Sequence, residues 1–103
     1  MDAAIMINSE IHYYNTKTAY HICGLYNTNN LTITELHLTK KGYLFFAIYN
    51  GENIHNYITP ATTQDALEFI GDHNKQLLWF DGGKQLLQDV INNRFQVGED
   101  FTE

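Results

Sequence analysis

The chain has 103 residues and carries 12 acidic side chains against six basic ones, a formal net charge of −6. That balance argues against binding nucleic acid through its phosphates, which takes clustered Lys and Arg, and the length supports one hydrophobic core rather than two. A 44% hydrophobic and 14% aromatic content is that of a folded globule, without an apolar run near the roughly 18 residues of a membrane span and without the basic start and apolar core of a signal peptide. A cytoplasmic domain is expected, and the lone Cys23 leaves no internal disulfide and agrees with a reducing compartment.

In chain order, Ala4–Ile7, the turn formers Asn8-Ser9 and Ile11–Tyr14 predict a first hairpin over 4–14. Asn15 then offers a cap for a short helix over Thr16–Ile22, with Gly24 as its stop, although threonines are poor helix formers. A loop through Tyr26–Asn30 leads into Leu31–Asn50, the densest apolar stretch, which predicts a second hairpin. Its apolar phase changes at Thr34-Glu35, which predicts a bulge there. Lys40-Lys41-Gly42 is a three-residue turn with Gly last, so Thr39 faces Tyr43, Leu38 faces Leu44 and Leu36 faces Phe46.

That register gathers the aliphatic side chains on one face and His37, Tyr43, Phe45, Ala47 and Tyr49 on the other, which is too apolar for a solvated surface. The cover of this aromatic face is left open among the chain's own helices, a second subunit and a partner. A third strand over 54–59 follows, with its register undecided, and Pro60 marks a boundary inside the domain. Thr62 with Asp65 three residues on forms a capping box for a helix over 63–73, whose buried face is Ala66, Phe69, Ile70 and His73. Leu77–Phe80 is too short to classify by period. Asp81 is a candidate cap for a second helix over 82–93 with the stripe Leu86, Leu87, Val90 and Ile91, its first turn weakened by Gly82-Gly83. The expected fold is α+β: a three- to five-stranded antiparallel sheet with one or two C-terminal helices, as a single domain over 1–95 followed by an acidic tail over 96–103.

Five histidines (His12, His21, His37, His55, His73), Cys23 and Asp72 raise the question of a metal. Structural zinc sites use tight ligand pairs, whereas the closest pair here is His21-x-Cys23, whose members diverge on a helix. Catalysis by Cys23 would need a nearby base and an orienting group, and a buried, inert thiol is the commoner role. Asp81-Gly82-Gly83-Lys84 lacks the phosphate-loop pattern and reads as a turn. No metal, cofactor or enzymatic activity is expected. Asp65, Glu68 and Asp72 stand at i, i+3 and i+7 on that helix, a short carboxylate stripe that could imitate a run of phosphates.

Three blocks carry a resemblance: Tyr14-Asn15-Thr16-Lys17-Thr18-Ala19, then Leu36–Phe46 around Lys40-Lys41-Gly42, then Ile58-Thr59-Pro60 with Ala66-Leu67-Glu68-Phe69. In this order they resemble a family of small proteins encoded by phages, prophages and mobile elements of Firmicutes, with a Tyr-Asp-Thr-x-Thr-Ala segment, a Leu-Tyr-x-x-Lys-Lys-Gly-x-x-Phe hairpin and an acidic helix after a proline. The chain departs from that pattern in having Ile48-Tyr49-Asn50-Gly51-Glu52 in place of a Gly-Glu-Gly-Gly run. Some proteins with similar blocks are associated with inhibition of CRISPR nucleases. The resemblance implies a protein–protein inhibitor of a host defence protein, working in the host cytoplasm without direct nucleic-acid or membrane binding.

The expected partner-binding residues are His37, Tyr43, Phe45 and Tyr49 of the aromatic face, Asp65, Glu68 and Asp72 of the acidic helix, and Glu99 and Asp100 of the tail. The alternatives are a small metal- or cysteine-based protein or enzyme, and a homodimeric structural phage protein that buries the aromatic face against itself.

Overall fold

The computed structural model describes residues 1–29, 31–51 and 55–95. Its elements are β1 (Asp2–Ile7), β2 (Glu10–Asn15), β3 (Tyr20–Asn27), β4 (Thr32–Leu38), β5 (Leu44–Tyr49), β6 (Tyr57–Ala61), α1 (Thr63–His73), β7 (Leu78–Trp79) and α2 (Gly83–Ile91). β1 and β2 form a two-stranded sheet of their own, and the other strands form an antiparallel sheet in the order β6-β5-β4-β3-β7. The fold is α+β in three layers, with the β1–β2 hairpin on one face of the five-stranded sheet and both helices on the other.

The central hairpin has the register that its turn demands. Leu38 pairs with Leu44, His37 with Phe45 and Leu36 with Phe46. The Thr39 N–H donates to the Tyr43 carbonyl at 2.9 Å, and Gly42 adopts the positive φ of 95° that closes the three-residue loop. Leu36, Leu38 and Leu44 point to the helical layer and pack with Ala66 of α1 and Leu87 of α2. Each such side chain stabilises the fold by about 1.5–3 kcal/mol through removal from water.

The opposite face is covered by the chain itself. Asn8 and Ser9 both have positive φ, 51° and 69°, as a two-residue hairpin turn requires. β1 and β2 then lay Ile5 and Tyr14 over Phe45, Ala47, Tyr49 and Ile58. The Tyr14 and Phe45 rings lie 5.1 Å apart, and the His12 ring stacks on Tyr43 at 4.2 Å. Ile58 opposite Ala47 resolves the register of the third strand toward the aromatic face, while Ile54 lies outside the described residues. Pro60 sits inside β6, where the edge position leaves its missing N–H without consequence.

Four sequence expectations require correction. The helix over Thr16–Ile22 is absent: Asn15 does accept the Lys17 N–H on its side chain at 2.9 Å, but the turn stops at Ala19. From Tyr20 the aromatic and β-branched residues run on as β3, and Gly24 is an interior strand residue rather than a stop. The bulge lies in β3 between His21 and Cys23, not at Thr34-Glu35, where β4 pairs with β5 without a shift. The phase change in β4 reflects a strand covered on both sides, which accepts apolar residues on either face. Finally, α2 has Gly82 and not Asp81 at its N-cap, without a side-chain cap bond.

The bulge explains the glycine pair. The Ile22 carbonyl accepts the Phe80 N–H at 3.1 Å, and a Cβ on Gly83 would run into that carbonyl. Gly82 adopts a positive φ of 76° with open space around it. Gly83→Ala is therefore expected to destabilise the protein by about 1–3 kcal/mol in urea unfolding, because backbone cannot give way as a side chain can. Gly82→Asn, which tolerates the left-handed region, should cost roughly 1 kcal/mol or less. Thr62→Ala, which removes the α1 cap bond to the Asp65 N–H at 3.0 Å, should cost about 1 kcal/mol in the same measurement.

Candidate functional site

The three carboxylates singled out on the acidic helix come together. Asp65, Glu68 and Asp72 project from α1 along a groove of about 430 Å³ between the helix and β6, with Phe46, Pro60 and Phe69 as its apolar floor. The Phe46 and Phe69 rings meet edge-on at 5.1 Å, which fixes the floor, and His73 closes one end against Phe69 at 5.3 Å. The capping box positions the first acid: Asp65 Oδ2 accepts the Thr62 N–H at 2.9 Å. Glu68 accepts from Gln64 Nε2 at 3.1 Å. Among the described residues no Lys or Arg forms an ion pair with any of the three. The groove thus presents uncompensated negative charge beside exposed apolar surface.

The aromatic set behaves differently. His37 and Phe45 are 0% exposed. That burial removes them from any surface that the folded chain presents, and corrects the expectation that they meet a partner. The physical reason is the β1–β2 layer, which closes over this face. Tyr43 and Tyr49 remain half-buried at its margins. Glu99 and Asp100 lie outside the described residues.

Sequence reasoning missed the outer side of that same hairpin. Met6, Ile11 and Tyr13 are 68%, 52% and 50% exposed, and Met6 pairs directly with Ile11. The signal was present: both strands read as near-continuous apolar runs, with apolar residues left over for the side facing solvent.

The cysteine and histidine alternatives meet specific obstacles. Cys23 is buried in the helix-side core, and burial pushes its thiol up to about 12, far from a reactive thiolate. The bulge at Ile22 turns Cys23 to the face opposite His21, whose ring contacts His37 and Phe80. The two ligands that are closest in sequence therefore point apart. Among the described residues, no group of three or more His, Cys, Asp or Glu side chains is placed to hold a metal ion. No helix among them is long and apolar enough to cross a membrane.

His37 is the one buried imidazole. It stacks on Phe45, and its Nε2 lies 3.1 Å from Glu35 Oε1, while Glu35 Oε2 accepts the Tyr26 hydroxyl at 3.4 Å. Its Nδ1 has no hydrogen-bond partner among the described residues. Burial, reinforced by the neighbouring His21, lowers its pKa from 6.5 to about 4. A neutral ring donating from Nε2 to Glu35 accounts for this arrangement, with Nδ1 as an empty acceptor. Because the unfolded chain takes up the proton near 6.5 and the folded one only near 4, the contribution of neutral His37 is complete above pH 6.5 and is lost as pH falls toward 4. Urea unfolding at stepped pH should show a loss on the order of 3 kcal/mol over that interval. His37→Phe, which keeps the stack on Phe45, should flatten that part of the profile, and an unchanged slope would refute the assignment.

Comparison of the chain with protein-family models, with curated proteins and with solved structures finds no match.

Proposed function

We propose that this chain is a protein-binding inhibitor that engages a basic surface of a host defence protein through the acidic groove of α1. The observation that supports this reading is the alignment of Asp65, Glu68 and Asp72 over an apolar floor with no ion pair to a Lys or Arg among the described residues. From Asp65 to Asp72 the helix rises about 10 Å, a length over which one nucleic-acid strand carries three to four charges. The stripe approximates the charge density of a single strand, and it suits a groove that otherwise holds nucleic acid. The net charge of −6 adds long-range attraction to such a groove and repulsion from nucleic acid itself. The resemblance to mobile-element proteins narrows the target class to a CRISPR effector nuclease in the host cytoplasm. Inhibition would then be competitive, without catalysis by the inhibitor.

A second reading, a homodimeric structural protein, is favoured by Met6, Ile11 and Tyr13 on the outer side of the first hairpin. Sedimentation equilibrium separates the two: a dimer that Met6→Ser and Ile11→Ser dissolve supports the second, and a monomer that inhibits supports the first.

Inhibition of DNA cleavage, measured against a panel of purified CRISPR nucleases, tests the main reading. Charge reversal at Glu68→Lys with Asp72→Lys should weaken inhibition by roughly tenfold or more, since each reversal replaces attraction with repulsion at the interface. Raising salt from about 50 to about 300 mM should weaken the unmodified protein in the same direction, because screening shortens the reach of exposed charges. Inhibition indifferent to both changes would exclude competition by the acidic stripe.

A further inference from the structure

On the other side of Pro60 from the acidic groove, the first hairpin near Ile7, the segment Gly42–Leu44 and the start of α1 border a second cleft of about 370 Å³. This lies near the lower end of volumes that hold small ligands, so it suits a single ring system. Ile7, Leu44, Pro60 and Val90 supply apolar walls from four different elements or their ends. The polar groups are few and their hydrogen bonds are largely accounted for.

His12 is held rigidly by its stack on Tyr43, and its Nδ1 lies 3.3 Å from the Tyr14 hydroxyl. With that hydroxyl donating, Nε2 carries the hydrogen and faces Glu10 Oε2 at 3.5 Å. Thr62 Oγ1 accepts the Asp65 N–H and keeps its own hydrogen free to donate. The Thr63 hydroxyl, also on the cleft, makes no hydrogen bond to another described residue. Charge decides the rest. Among the described residues, no Asp, Glu, Lys or Arg lines the cleft, so a carboxylate or an ammonium bound there would give up hydration without an opposite charge to replace it.

We propose that this cleft binds a small neutral aromatic molecule with one hydrogen-bonding tip, of the phenol or indole class. The ring lies among Ile7, Leu44, Pro60 and Val90, and the tip meets the hydroxyls of Thr62 and Thr63, which can both donate and accept. The site is separate from the acidic stripe and does not depend on the proposed inhibition.

Titration of ¹⁵N-labelled protein with p-cresol and with indole, followed by amide chemical shifts, tests the proposal. Saturable shifts are expected at Gly42, Tyr43, Leu44, Ala61, Thr62 and Thr63, with benzoate and benzylamine binding about tenfold more weakly or less. Thr63→Phe should fill the cleft and abolish the shifts while the remaining spectrum stays folded, and Val90→Phe serves the same purpose from α2. Glu68→Lys with Asp72→Lys should leave ring binding unchanged, so that failure of this proposal and failure of the inhibitor reading remain distinct. N-acetyl-tyrosinamide and N-acetyl-tryptophanamide identify the source: tighter binding than the free rings assigns the cleft to a side chain of a protein, and weaker binding assigns it to a free small molecule. Absence of saturable shifts, equal binding of benzoate, or unchanged binding to a folded cleft-filling variant would overturn the assignment.

Discussion

The sheet built on β4 and β5 is apolar on both sides, and neither side can be left in water. Leu36, Leu38 and Leu44 need the helices, and Phe45 and Ala47 need the β1–β2 hairpin. The second requirement is met by matched spacing. His12 and Tyr14 lie two residues apart on β2, and Tyr43 and Phe45 lie two apart where the chain enters β5, so the rings meet two against two across the layer. A one-residue slip in either hairpin would turn both rings away at once. The chirality and length of two short turns, Asn8-Ser9 and Lys40-Lys41-Gly42, therefore control whether the layers close.

The same closure divides what the sequence could reveal from what it could not. Turn chemistry and capping are local, and they made the central register, the span of α1 and the stripe of α2 readable in advance. The acidic part of the site was readable for the same reason, since Asp65, Glu68 and Asp72 follow helical spacing. β3 was misread because Asn15 forms the first turn of a helix and only tertiary pairing with β4 decides that it goes no further. The need of the Ile22 carbonyl for a side-chain-free neighbour at Gly83 joins residues some sixty positions apart, which no local pattern encodes. His37 and Phe45 read as a surface for a similar reason: their cover comes from the far end of the chain.

Both candidate sites border Pro60, and they divide the surface by charge. One side is a row of carboxylates over aromatic rings, fit for a large basic partner. The other is a recess lined, among the described residues, by no acidic or basic side chain of Asp, Glu, Lys or Arg, which disfavours ions and leaves room for a neutral ring. Between the layers, burial and the neighbouring His21 hold the His37 imidazole neutral, so the closed state is tied to proton concentration.

The strand order carries a kinetic consequence. From β3 to β6 every pairing joins neighbours in the chain, and β1 with β2 does the same. Closing each of these loops costs little entropy, so the meander and the first hairpin can form by local zippering. The pairing of β7 with β3 is the exception, because Leu78-Trp79 must return across the whole meander to reach Cys23 and Gly24. That return also brings Gly83 onto the Ile22 carbonyl. Of the strand pairings, that of β7 with β3 therefore closes the longest loop and carries the largest entropic cost, and the bare backbone at Gly83 is what lets the last strand and helix dock.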